Sequence, residues 1–261
     1  MQGNDCSGAL RAGWWGLLAG MGVCLWAGGE ARSEQGAVRA DVYVQAREAR
    51  AIGQEGMPVY VPPARGAPGG RRGGAGRGPG DDNVMVSALA PDHTGLTGQE
   101  QPTLYWFVSK PTKAPIEFTL TDERSIHPRL EVRIGPPSGP GIQRVRVADF
   151  GIHLEPGVKY EWTVAVVLDP ERRSRDILAG GVIEHLALPT EVSKELAAGE
   201  KTQAARIYAR AGYWYDAVAA LSEWIEVTPN DPGLRKQRAA LLEQVDLPEV
   251  AAFDKRAAAV N

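Results

Sequence analysis

The fold class of this chain is decided by residues 154–168, LEPGVKYEWTVAVVL. From Tyr160 onward, every second residue is large and apolar, so one face of a strand is continuously hydrophobic. Upstream, Leu154, Pro156, Gly157 and Tyr160 have the L-x-P-G-x-x-Y spacing of a tyrosine corner, in which the Pro-Gly pair makes the turn and the hydroxyl bonds back to the upstream backbone. The stretch therefore predicts an antiparallel β-sandwich of the immunoglobulin or fibronectin kind.

Further runs with a period of two surround this strand. The candidate strands are residues 104–109, 116–121, 130–134, 142–147, 160–168 and 177–188. Gly and Pro separate these runs, and no helical segment lies between them. This arrangement indicates an antiparallel sandwich rather than a parallel α/β sheet, and we place the domain at residues 83–189.

After residue 189 the hydrophobic period becomes helical. Residues 200–231 predict a helical hairpin with tetratricopeptide spacing, carried by Tyr208, Gly212, Ala217, Leu221 and Pro229. Trp224 departs from that motif, which has a small residue there. Since a solenoid needs three or more repeats, we expect the helices of this region, residues 190–256, to pack on the sandwich or on one another.

The first residues have the pattern of a secretory signal. Arg11 precedes an apolar run at residues 12–27, and small residues follow up to Ala31. The run is interrupted by glycines and is shorter than the ~20 residues that span a bilayer. We predict a cleaved signal peptide at residues 1–31 and a periplasmic or extracellular location. An uncleaved anchor and a lipoprotein at Cys24 are the alternatives.

Residues 32–82 are poor in large apolar side chains and rich in Gly, Pro and Arg. Such a composition cannot bury enough surface to offset the entropy of ordering, so a flexible tether is predicted. No aromatic residue is interleaved among Arg65, Arg71, Arg72 and Arg77 to stack on bases. The formal net charge of −3 also gives no bulk electrostatic attraction for nucleic acid. We predict no nucleic-acid partner, with an anionic envelope polymer as the alternative.

The residue types that carry most enzyme chemistry are sparse. Both cysteines, Cys6 and Cys24, fall in the predicted signal, which excludes a disulfide framework or a thiol nucleophile after cleavage. The four histidines lack metal-ligand spacing, and we expect them in loops or on strand surfaces. No cofactor and no metal are predicted.

Seven short segments between residues 60 and 221 occur in a recognisable order. They are YVPPARGAPGGRRGGAGRGP, ALAPDHTGLT, PTLYWFV, FTLTDE, LEPGVKYEW, DPERRSRD and GYWYDAVAAL. With them the chain resembles the exported bacterial family called domain of unknown function 928. The resemblance implies an envelope location and supplies no activity. Asp81 and Leu168 stand in neighbourhoods where many members carry cysteines, so a bridge between them is not available here.

Two places are candidates for binding. The mixed-charge turn with Arg173, Arg175 and Asp176 is either a hairpin loop with weak local ion pairs or a recognition loop at one end of the sandwich. Trp214 and Tyr215, at the start of the second hairpin helix, either pack at the hairpin corner or contact a partner.

The sequence therefore predicts a non-enzymatic, exported binding or scaffolding protein whose partner is an envelope protein or polymer. The alternative is an envelope enzyme that acts on cell-wall or polysaccharide substrates through Asp122 and Glu123. Catalytic carboxylates lie several ångströms apart across a cleft, whereas adjacent strand residues point to opposite faces. A deep cleft with two convergent acids would favour the enzyme.

Overall fold

Nine strands and five α-helices lie in the part of the chain that the computed structural model describes, residues 56–63, 70–75, 84–137 and 139–260. These residues belong to the unit Gly56–Asn261; the unit Met1–Glu55 lies outside the described residues, and with it the predicted signal peptide. The chain is thus of the β+α class. Within the described ranges, no helix is both long and apolar enough to cross a membrane.

The strands precede the helices along the chain. The strands are β1 (Gly73–Ala75), β2 (Met85–Ala88), β3 (Gly95–Thr97), β4 (Thr103–Val108), β5 (Ile116–Asp122), β6 (Leu130–Ile134), β7 (Gly141–Arg146), β8 (Lys159–Val166) and β9 (Ile177–His185). The helices are α1 (Thr190–Ala198), α2 (Ala204–Arg210), α3 (Trp214–Val227), α4 (Pro232–Gln244) and α5 (Pro248–Val260).

The strands form two sheets. One has the order β1-β2-β4-β7 and the other β3-β9-β8-β5-β6. Every pairing is antiparallel except that of β3 with β9, which is parallel. The prediction of a wholly antiparallel arrangement was therefore wrong at this edge. Parallel neighbours need a long connection, and the whole segment from β4 to β8 lies between β3 and β9 in the chain.

Strand β8 is the centre of the five-stranded sheet. Tyr160, Trp162, Val164 and Val166 are all fully buried on one face, as their period of two predicts. The Tyr160 hydroxyl accepts a hydrogen bond from the Glu155 backbone N–H at 3.0 Å, which is the bond that the L-x-P-G-x-x-Y spacing predicts. This bond fixes the turn before the strand to the strand itself.

Helices α3 and α5 contact the four-stranded sheet. Strand β4 is buried on both faces, and the Phe107 ring on its outer face lies 5.2 Å from the Phe253 ring of α5. Arg144 of β7 forms an ion pair with Glu226 of α3. A strand covered on both sides is expected to be apolar throughout, and this explains the LYWFV run. Sheets and helices share one hydrophobic core.

The N-terminal residues of the described part are ordered on this core. We call residues 56–63 the strap. Tyr60 of the strap is only 7% exposed, β1 pairs with β2, and the Arg72 N–H donates to the Gly180 carbonyl at 2.9 Å. The predicted flexible tether at residues 32–82 is therefore wrong for residues 56–63 and 70–75. A few buried side chains, such as Tyr60, stabilise these residues on the core although the mean composition of the segment is poor in apolar residues. The rest of residues 32–82 lies outside the described residues.

Candidate functional site

Tyr60 anchors the strap between the sheets and the helices. A hydrogen bond of 2.9 Å joins its hydroxyl to His93 Nε2, and its ring packs edge-on against Trp214 with centroids 5.0 Å apart. Burial raises the pKa of the Tyr60 hydroxyl and lowers that of His93 below its usual 6.5. Burial thus favours the uncharged form of both groups.

Gln244, at the end of α4, holds the strap backbone. Its Oε1 accepts a hydrogen bond from the Tyr60 N–H at 2.8 Å, and its Nε2 donates to the Pro58 carbonyl at 3.0 Å. On the other side, the Val61 N–H donates to the Ala209 carbonyl at 3.1 Å. The Gln244 amide thus replaces a neighbouring peptide group.

Gly212 is needed where the strap crosses the α2–α3 turn. Its φ is +85°, a left-handed conformation that favours glycine. A Cβ at this position would lie 3.1 Å from the Val61 carbonyl oxygen. The glycine therefore permits both the turn and the close approach of the strap.

The outward side of the strap forms one wall of a groove. Pro58 and Tyr60 are buried, whereas Val59 is 58% and Val61 is 49% exposed, so the strap alternates as an extended segment does. The groove has a volume of about 340 Å³. The side chains that line it come from the strap, α1, α2 and the turn before α2: Met57, Val59, Glu195, Gln203, Arg206, Ile207 and Arg210.

Two arginines of α2 differ in their charge environment. Arg210 Nη2 donates to both carboxylate oxygens of Glu195, at 2.7 and 2.6 Å, and this ion pair joins α2 to α1. Arg206, one turn earlier and half-buried, forms no ion pair within the part of the chain that the structure describes. The groove therefore combines an apolar patch, formed by Met57, Val59 and Ile207, with one cation that is not neutralised there. This arrangement is suited to an apolar group beside an anion.

Trp214 and Tyr215, candidates for partner contact, are in the core. Their side chains are almost completely buried. The Trp214 indole N–H donates to the Leu89 carbonyl at 2.9 Å, and the Tyr215 hydroxyl donates to the Val182 carbonyl at 3.1 Å. Both side chains therefore lie at the hairpin corner in the core, where α3 begins against the sheets.

The mixed-charge turn is held by its own ion pairs. Arg173 bonds to Asp176 at 2.8 Å and also to Glu117 of β5. The hydrogen bonds from Arg173 and Arg133 hold the pKa of Glu117 below its usual value. Arg175 is exposed. None of the three predicted residues of this turn lines the groove. The mixed-charge turn and the groove are therefore separate surfaces.

The acids of the enzyme alternative do not line the groove either. Asp122 is buried, its Oδ1 accepts the Arg124 N–H at 2.8 Å, and its Oδ2 lies 3.4 Å from Arg129 Nε. These bonds join Asp122, the last residue of β5, to the β5–β6 loop. Among the histidines, His185 is buried with Nδ1 3.2 Å from the Leu154 carbonyl oxygen, so a surface position was wrong for it.

Sequence reasoning missed the groove. Its two walls are distant in sequence, and Arg206 has the appearance of an ordinary helix-surface residue. The available signal was the strap segment MPVYVPP, in which apolar side chains alternate before two prolines. That alternation is typical of an extended segment with one buried side.

Comparison with known proteins gives one family. The family model described as Domain of Unknown Function (DUF928) matches residues 67–254. Among solved structures, a multi-domain immunophilin from Arabidopsis thaliana is similar at 10% sequence identity, over 62% of this chain and 98% of that chain, with a TM-score of 0.17. This likeness is too low to support an argument about the fold. No curated protein matches the chain.

Proposed function

The chain belongs to the DUF928 family, and we propose that it is a non-enzymatic, exported binding or scaffolding protein of the bacterial cell envelope. The groove beside the strap is the observation that carries this proposal. Its apolar residues Met57 and Val59 and the side chain of Arg206 are exposed to solvent in part, and such a combination is suited to contact with a bound partner.

We favour binding over catalysis because the candidate catalytic acid is already engaged in structural interactions. Both carboxylate oxygens of Asp122, the buried acid of the enzyme alternative, already interact with residues of the β5–β6 loop. Nucleic acid is not the proposed partner, because Arg71 donates to the carbonyls of Ala90, Val245 and Asp246. An envelope protein or polymer is the partner class that remains.

The finer fold assignments are part of the same proposal. We assign the two sheets to an immunoglobulin-like sandwich on the basis of their common core and the Tyr160 bond. The α2–α3 hairpin is assigned as tetratricopeptide-like from its residue spacing and the left-handed Gly212. The angle between the mean strand directions of the two sheets, about −30° in aligned sandwiches, is the geometric check.

Export is tested by the N terminus of the protein recovered from its native cells. Cleavage of the predicted signal should leave a chain that starts close to Arg32. An intact Met1 would contradict cleavage, and a cytoplasmic protein would contradict the envelope location.

Photocrosslinking in living cells tests the binding surface. A photoreactive amino acid at Val59, inside the groove, should give one discrete adduct. The matched control is Ile126, which is 91% exposed but does not line the groove. No adduct at Val59, or the same adducts at both positions, would contradict binding at the groove.

A further inference from the structure

We infer that the groove recognises an extended peptide segment of a partner protein, with an apolar side chain next to a carboxylate. The inference rests on the proposed binding function and adds the chemical class of the ligand. Three features carry it: the apolar patch on one wall, the Arg206 guanidinium and the backbone groups of Val59 in the strap.

The apolar patch sets the first requirement. Met57 is half-buried and Val59 largely exposed, while Ile207 of α2 also lines the groove and is only 4% exposed. One Leu-sized side chain seated here would remove apolar area from water on both partners. Burial of such a side chain contributes about 1.5–3 kcal/mol.

Arg206 sets the second requirement. Its neighbour Arg210 is already paired with Glu195, so that ion pair contributes no net charge to the groove. Arg206 lacks an acidic partner within the described residues, and a guanidinium binds a carboxylate through two parallel hydrogen bonds. A peptide acid that reached it would complete a pair like that of Arg210 and Glu195.

The strap backbone sets the third requirement. Gln244 bonds to the Pro58 carbonyl and the Tyr60 N–H, and the Ala209 carbonyl accepts from the Val61 N–H. The Val59 N–H and carbonyl make no hydrogen bond among the described residues. An extended peptide can pair with an exposed extended segment through its main chain, with pockets that read alternate side chains. Val59 thus offers a short backbone edge beside the apolar patch and the cation.

Selection from random ten-residue peptides displayed on phage tests the inference, with the full mature chain as bait. The wild type should enrich peptides in which Asp or Glu lies within three residues of Leu, Ile, Val, Met or Phe. Arg206→Glu should exchange the acid for Lys or Arg in the selected peptides. Lys201→Glu makes the same charge change just before α2 outside the groove and should keep the wild-type preference.

The selected peptide then gives a binding measurement. By fluorescence anisotropy, Arg206→Gln should weaken its affinity about tenfold or more, because a charge-assisted hydrogen bond is lost, whereas Lys201→Gln should change it less than twofold. Circular dichroism of each variant establishes that it is folded. An unchanged peptide preference in both Arg206 variants would overturn the inference.

Two further outcomes separate this inference from the proposed function. An adduct at Val59 together with a peptide preference that is independent of Arg206 would leave the binding function in place and overturn acid recognition. No enrichment and no adduct would overturn both. A selected motif that matches residues 32–55 of this chain would overturn the partner assignment and give the groove to that segment.

Discussion

The indole Nε1 of Trp162 donates a hydrogen bond of 2.9 Å to the hydroxyl of Tyr215, and this bond joins the centre of β8 to the first turn of α3. The same hydroxyl donates to the Val182 carbonyl on the neighbouring strand. Both side chains are buried, and burial raises the pKa of Tyr215 above its usual value. The helical region is therefore fixed to the sheet by a polar contact inside the apolar core.

Removal of this hydroxyl should be costly. Tyr215→Phe leaves the Trp162 indole N–H without an acceptor and the Val182 carbonyl without this donor, and each unsatisfied buried group costs about 1–3 kcal/mol. We expect urea unfolding, followed by tryptophan fluorescence, to show a loss of about 2–4 kcal/mol. Tyr213→Phe is the control, because its hydroxyl makes a single part-buried bond to Ala187. Equal losses in the two variants would contradict the role of the shared hydroxyl.

Tyr215 fits because glycine lies beside it on β9. A Cβ at Gly181 would lie 2.5 Å from the Ala90 Cβ and 3.0 Å from the Tyr215 hydroxyl. Gly181→Ala should therefore lower the free energy of unfolding by about 1–3 kcal/mol through overpacking. Gly135→Ala is the control, since a Cβ there meets no atom within 4 Å. A neutral Gly181→Ala would indicate that Ala90 and Tyr215 move aside without cost.

The strands that the sequence predicted are those whose side chains alternate or form an apolar run. Residues 116–121 were predicted and Ile116–Asp122 is observed, whereas β1 and β3, with the sequences GGA and GLT, are too short to show a period. Helix α5 lies largely inside the predicted helical region at residues 190–256, but its alanine-rich sequence has too weak an apolar period to predict it as a separate helix. The groove could not be predicted, because it exists only where the strap meets α2, and that contact is long-range.

The buried carboxyl of Asp216 should make stability depend on pH. Its Oδ2 accepts the Gly98 N–H at 2.9 Å, but burial has the larger effect and raises the pKa from 3.8 to about 6. The folded state thus binds the proton more tightly than the unfolded state. The contribution of Asp216 to the free energy of unfolding should fall as the pH rises from about 4 to about 6, by up to about 1.4 kcal/mol per pH unit.

Asp216→Asn should remove this dependence, and the difference between wild type and variant isolates it from other titrating groups. Chemical denaturation at half-unit steps from pH 4 to pH 7 is the measurement. Glu155 gives a contrast of opposite sign at lower pH, because the hydrogen bond from Arg124 lowers its pKa and its contribution is lost only as the pH falls below its usual value of 4.5. A constant difference between wild type and Asp216→Asn across the range would refute the assignment.

An ion pair holds the last three helices together. Arg238 of α4 bonds to both carboxylate oxygens of Asp254 at 2.7 and 2.8 Å, and it donates to Ser222 of α3 at 2.9 Å. Asp254→Asn leaves a buried guanidinium without its counter-charge, for which about 3–5 kcal/mol is expected. Glu243→Gln breaks the exposed pair with Lys255 and should cost less than about 1 kcal/mol. Similar costs for the two variants in urea unfolding would contradict a buried charge.

Substitutions in the strap distinguish a flexible tether from a segment that is packed as part of the fold. Tyr60→Ala removes a buried ring that packs on Trp214 and bonds to His93, and truncation of a large buried side chain costs about 3–5 kcal/mol. Val61→Ala, in the same segment but with its side chain half in solvent, should change stability by less than about 1 kcal/mol. If the strap were a flexible tether, neither substitution would change the free energy of unfolding. Met57 and Val59 line the groove only while the strap is docked, so Tyr60→Ala should also weaken the crosslink at Val59, whereas Val61→Ala should leave it in place. Equal stability and equal crosslinking in both variants would show that the segment is a linker.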